Sequence, residues 1–250
     1  MGKKKEPGYL TTLGKAAPFF LAKSILGDLP KGGVEKAIEL NLGPKKVPLK
    51  QGFIKGISGR GKGRAIGAAS GVLTAPLYLK SLKLLKSDKK SDQKKGVALL
   101  AGVTSTFTLQ KGIMEGLGEE LAGGTAKNTA LKKALGLGAG RLTYKIPAAF
   151  LMAKGLTSGS GKGKKKKDSS LLSAALGGAG AGALSRSGDT TIKEITQKAT
   201  TKGYKFNPRI FSKKLLAGGV GGAAAGALGG LVLSKAISAA NKSLAGGKKK

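Results

Sequence analysis

Between Lys214 and Lys235 lie twenty residues without a charge, and within them Gly218, Gly222, Gly226 and Gly230 recur at every fourth position. On a helix of about 3.6 residues per turn, that spacing stacks bare backbone along one face. Such a face lets another helix approach to van der Waals distance, the small-xxx-small packing found in membranes. A second ladder, Gly59, Gly63, Gly67 and Gly71, opens the uncharged stretch 65–79, and Ala174, Gly178 and Gly182 carry the same spacing through the uncharged stretch 169–185. These ladders predict a mainly α chain. Its units are glycine-zipper helices and helical hairpins, joined by basic flexible linkers and ordered within an assembly.

Composition points the same way. The chain holds 43 glycines and no tryptophan, with aromatics at 4%, so the large side chains that fill a core and fix rotamers are scarce. Each helical glycine also costs roughly 0.5–1 kcal/mol relative to alanine. With 46 Lys plus Arg against 12 Asp plus Glu, the net charge is +34. Self-repulsion of that size opposes compaction unless a partner of negative sign neutralises it. Packaged DNA, RNA, anionic lipid headgroups or an acidic protein lattice would serve.

Histidine and cysteine are both absent. Thiolate nucleophiles, zinc sites with nitrogen or sulfur ligands and imidazole acid–base catalysis are therefore excluded. The run from Gly56 to Gly63, GISGRGKG, follows a phosphate loop until Gly63 takes the place of the magnesium-binding Ser or Thr. Nucleotide hydrolysis is not expected. What remains is a segment in which Arg60, Lys62 and Arg64 contact phosphates without reading sequence, and Lys164, Lys165, Lys166 and Lys167 form a second such group. The acids Glu115, Glu119 and Glu120 fall on one side of a helix and are read as surface groups. Aromatics do not interleave with basic residues as base-stacking readers require, so nucleic-acid contact should be to the backbone and strongly salt-dependent. The expectation is a protein that is not an enzyme, with no cofactor, metal or small-molecule substrate.

Six segments follow: a basic arm with short amphipathic helices over 1–50, the first ladder and a basic linker over 51–95, apolar helices over 96–157, a Lys/Gly/Ser linker over 158–168, a Gly/Ala helix and small capped helix over 169–211, and the terminal ladder with its basic tail over 212–250. Within them, 52–63 reads as a loop, 87–95 as an exposed linker, and Pro18 and Pro147 as breaks. Residues 104–108 read equally as strand or helix. Thr191 and Glu194 form a capping-box pattern for a helix ended by Gly203. The start of the chain has Glu6 where a myristoylation site needs Ser or Thr, and no apolar run of secretory length follows.

A bilayer span takes about twenty apolar residues. Only 215–234 reaches that length, and its five Leu and two Val are diluted by seven glycines and five alanines. Such a helix inserts poorly alone and better when packed against copies of itself. Spanning a membrane, packing inside a soluble assembly and serving as a flexible tail all remain open.

The two ladders, 59–71 and 218–230, with their Lys and Arg flanks and the missing Cys and His, resemble internal virion proteins of tailed bacteriophages, especially pilot or ejection proteins. The likeness is one of composition and pattern over about half the chain. It implies storage in the virion interior or portal region beside packaged DNA and other virion proteins, while the glycine ladders themselves predict a homo-oligomer. At infection it implies release and help in forming a conduit through the host envelope, with anionic membrane as a further partner. A sequence-nonspecific DNA-condensing protein, a cationic membrane-permeabilising toxin and a minor capsid or connector component share many of these features.

Overall fold

The computed structural model describes residues 8–23, 29–42, 46–58, 61–122, 127–158 and 164–246, with several stretches, among them 61–71, 110–122, 127–134 and 164–169, placed by backbone alone. Among the described residues there are eight helices and no strand: α1 Tyr9–Lys23, α2 Leu29–Leu42, α3 Leu49–Ser58, α4 Gly61–Leu85, α5 Lys90–Ala122, α6 Lys127–Thr157, α7 Lys164–Thr200 and α8 Pro208–Gly246. The mainly α expectation holds.

Local chemistry accounts for several helix ends. Asn207 caps α8, its Oδ1 accepting the Ile210 N–H at 3.1 Å, and Pro208 occupies the first turn, where a missing N–H removes no bond. Past the end of α7, Gly203 takes a left-handed φ of 75°, a conformation that side chains disfavour. Between α4 and α5 the chain turns tightly: Ser87 donates to Asp92 Oδ2 at 2.9 Å, and the Gln93 amide donates to the Ser87 carbonyl at 2.8 Å.

Helices α4 to α7 each pair with their successor, antiparallel where contacts are described. Leu85 meets Gly96 and Leu82 packs with Leu100 across α4 and α5, while Gly140 meets Ile192 and Gly155 meets Gly177 across α6 and α7. The apolar core lies where α1, α4, α6 and α8 converge. Ala16, Ala75, Leu79, Leu233 and Ala240 are buried there, with Phe19, Met152 and Ile237 packed around them. A neighbouring cluster of Leu82, Leu100 and Ala153 extends it toward α5. The Tyr9 hydroxyl donates to the Leu73 carbonyl at 2.6 Å and ties α1 to α4.

Several local expectations give way to this packing. Pro18 and Pro147, read as breaks, lie inside helices, as does Pro76, although an interior proline costs about 3 kcal/mol relative to alanine. Pro76 shows why: buried Ala75 and Leu79 hold the helix on either side of it. The expected loop over 52–63 is helix α3 to Ser58 and helix α4 from Gly61. Gly52 lies where α3 comes closest to α2, since a side chain there would sit 2.7 Å from the Ala37 Cα. The 104–108 stretch is helical within α5, where Thr106 returns its hydroxyl to the Gly102 carbonyl at 3.0 Å. Thr191 begins nothing. It lies deep in α7 and bonds back to the Ser187 carbonyl at 3.0 Å, the alternative use of a hydroxyl that a cap would otherwise employ. The 87–95 linker shrinks to a short turn, 164–168 of the expected Lys/Gly/Ser linker is the first turn of α7, and the segment boundaries at 95, 168 and 211 fall inside α5, α7 and α8.

Candidate functional site

Helices α7 and α8 meet through their backbones. A methyl carbon at Gly182 would overlap the Gly222 carbonyl oxygen and lie 2.8 Å from the Gly226 Cα. At Gly178 it would overlap the Gly226 carbonyl and lie 3.1 Å from the Gly230 Cα, and at Gly230 it would overlap the Ala174 carbonyl. Gly222 faces Gly182 in return and would bring a methyl 2.8 Å from the Arg186 Cβ. Each step of four along α7 is thus met by a step of four back along α8, and glycine faces glycine in the middle of the seam. At Gly218 the neighbour is the Arg186 side chain, with its Cγ at 3.2 Å, so that end is looser. A face that the sequence offers to a second copy is here occupied by α7 of the same chain.

The register aligns two uncharged spans. Residues 170–185 of α7 run beside 219–234 of α8, sixteen residues on each helix. At about 1.5 Å per residue this charge-free level is about 24 Å deep. Helix α8, over Pro208–Leu244, is long and apolar enough to cross a membrane, and no other described helix is. Less than half of its most apolar stretch, 44%, is buried within the fold. Leu216, Val220 and Leu228 are exposed on α8, as are Leu172 and Leu176 on α7. The α7 leucines lie two residues from Ala174 and Gly178, about 200° around the helix from the α8 contact.

The seam between α6 and α7 repeats the close approach once and adds a polar tie. Gly155 would place a methyl 2.8 Å from the Gly177 Cα. One helical stretch further along, Arg141 is buried, and its Nε donates to Asp189 Oδ1 at 2.9 Å. The Tyr144 hydroxyl donates to the same oxygen, and Lys145 Nζ stands 3.9 Å from the other. Gly188 makes room for the Tyr144 ring, which a side chain at that position would strike. Burial, followed by the adjacent Asp189 carboxylate, pushes the Tyr144 hydroxyl well above the usual tyrosine range, with Arg141 acting in the opposite sense. A buried cation that keeps its partner fixes which residues of two helices stand opposite each other, because a shifted register would strand it.

Sequence reasoning singled out the α7 and α8 glycines but passed over Gly155, Gly177, Arg141 and Asp189. Arg141 and Asp189 stand 48 residues apart, and no local spacing links them. Nothing in the sequence singles the pair out, because Arg141 shares its apolar stretch with Lys145 and Asp189 sits among Arg186, Lys193 and Glu194. Gly59 and Arg60 lie outside the described residues. Gly63, Gly67 and Gly71, with Lys62 and Arg64, fall on the first turns of α4, and Lys164, Lys165, Lys166 and Lys167 on the first turn of α7, in stretches placed by backbone alone. No contact is described that brings the two basic groups together.

A groove of about 360 Å³ opens between α2 and α3, lined by Val34, Ala37, Ile38, Leu49, Lys50 and Phe53. It offers one amine and no carboxylate or hydroxyl. Among the described residues no group of three or more acidic side chains is placed to hold a metal ion. Comparison of the chain with family models, curated proteins and solved structures gives no match.

Proposed function

We propose that this chain is a non-enzymatic minor virion protein of the internal or ejection type, which assembles through glycine-zipper helices and contacts packaged DNA or the host membrane during genome delivery. The observation that carries the reading is α8: a helix of membrane-crossing length, packed backbone to backbone on α7, in a chain of net charge +34. Helices that associate by close backbone approach suit a protein that meets lipid, where apolar burial alone no longer drives association. The cationic excess suits storage beside packaged nucleic acid in the virion interior or portal region. Because α7 closes the 218–230 ladder within the chain, copies would associate through other faces, of which the α4 ladder is the nearest candidate. Other virion proteins and, after infection, the host envelope are the remaining partners.

The closed α7–α8 seam also favours a second reading, a DNA-condensing protein that never enters lipid. Two measurements on the purified chain separate them: duplex binding as a function of salt, and flotation with vesicles containing phosphatidylglycerol. Binding to both supports the leading reading. Binding to duplex without flotation supports condensation, and binding to neither rejects both. Mass spectrometry of purified virus particles tests the virion assignment directly, and absence of the chain from them overturns it.

A further inference from the structure

The largest concentration of described charge gathers where α4 turns back into α5. Lys80, Lys83 and Lys86 lie on the last turns of α4 and just beyond it. Lys89, Lys90, Lys94 and Lys95 follow across the turn and in the first turns of α5, and all seven are exposed. Only two carboxylates share this region, Asp88 and Asp92, and Asp92 accepts the Ser87 hydroxyl that shapes the turn. The two helix ends are held side by side, since Leu85 abuts Gly96 and Leu82 packs on Leu100.

We infer that this lysine-rich end of the α4–α5 pair is a docking surface for the phosphate backbone of duplex DNA. The inference rests on the DNA-contact part of the proposed function and names the surface that performs it. Five features favour contact with a duplex backbone. The patch follows about 9 Å of α4, and packed helices stand about 8–10 Å apart, so its breadth is of the order of 10 Å or more. Duplex DNA presents one charge per about 1.7 Å, hence about six charges over 10 Å, close to the surplus of lysines over carboxylates here. The side chains between the lysines, Ser87, Ser91 and Gln93, have no apolar bulk to enter a lipid layer, and Leu84 and Leu85 are half-buried. No aromatic residue lies in 80–95, so bases have nothing to stack on and contact is confined to the backbone. The Ser87–Asp92 and Ser87–Gln93 bonds fix the turn, so little further ordering is needed on binding.

The test uses the full chain and a random-sequence duplex, followed by fluorescence anisotropy over a range of salt. Replacing three lysines, Lys89→Gln, Lys90→Gln and Lys94→Gln, should lower the slope of log K against log salt by about 2–3, at about 0.9 for each phosphate that is no longer neutralised. The charge-matched control Lys213→Gln, Lys214→Gln and Lys235→Gln should change it much less. An equal fall in both variants, or no fall in the first, overturns the inference while DNA contact itself stands. Failure of the unmodified chain to bind duplex overturns the DNA-contact reading and the inference with it. A variant that keeps duplex affinity but no longer binds phosphatidylglycerol vesicles assigns the surface to lipid and also overturns it. Acetylation footprinting of the unmodified chain supplies an independent readout. Duplex should protect Lys89, Lys90, Lys94 and Lys95 several-fold more than Lys213 and Lys214, and uniform protection refutes the assignment.

Discussion

Substituting one glycine in the α7–α8 seam and one outside it separates packing from helix propensity. In both Gly182→Ala and Gly102→Ala the new methyl raises helix propensity by about 0.5–1 kcal/mol. At Gly102 nothing lies within 4 Å of the added carbon, so the whole gain should appear as stability. At Gly182 the methyl meets the Gly222 carbonyl and the Gly226 Cα, both backbone atoms of a long helix, so relief requires α7 and α8 to separate. Overpacking of that kind costs about 1–3 kcal/mol, and the rigidity of the obstacle argues for the upper end. After subtracting the propensity gain, Gly182→Ala should destabilise by about 2 kcal/mol, leaving about 3 kcal/mol between the two variants. That gap corresponds to about a hundredfold in the unfolding equilibrium. Urea unfolding followed by circular dichroism would show it as midpoints displaced in opposite directions. If Gly182→Ala shifts the midpoint upward as far as Gly102→Ala does, the two helices are not in backbone contact, and the seam is not what holds them.

The polar tie between α6 and α7 predicts that Asp189→Asn, which leaves buried Arg141 without its anion, costs about 2–3 kcal/mol; a loss below about 0.5 kcal/mol in urea unfolding would show that the pair fixes nothing. Because the folded state raises the Tyr144 hydroxyl above its unfolded value, its contribution is complete below the unfolded pKa of 10.0 and fades as pH climbs through the folded value. Stability should therefore decline above about pH 10, and Tyr144→Phe should flatten part of that decline; an unchanged alkaline profile in the variant refutes the assignment. Removing the α8 cap with Asn207→Ala should cost about 1 kcal/mol, and a thermal midpoint unmoved by the change would place the start of the helix elsewhere.

The sequence by itself determined that this chain is helical and where its helices are bare. Glycine or alanine at every fourth position is a one-dimensional pattern with a single reading on a helix, so the faces carrying Gly178, Gly182, Gly222, Gly226 and Gly230 are legible without coordinates. Charge is equally legible, since a net +34 requires no fold to be counted. The partner of each face was not legible. A glycine stripe specifies close approach but not which helix approaches, and only the turn at 201–207, together with the register of α7 against α8, directs the 218–230 ladder inward rather than to a second copy. The same limit hid the Arg141–Asp189 pair, whose members meet only because α6 and α7 run antiparallel. Local signals were overridden or left undecided for a related reason. Pro147, Thr106 and Thr191 each have a breaking, strand or capping preference of a few kcal/mol at most, and helices of 31–37 residues packed along their length outweigh it. Spacing along the chain fixes what a helix can present, whereas long-range packing alone decides what it is presented to.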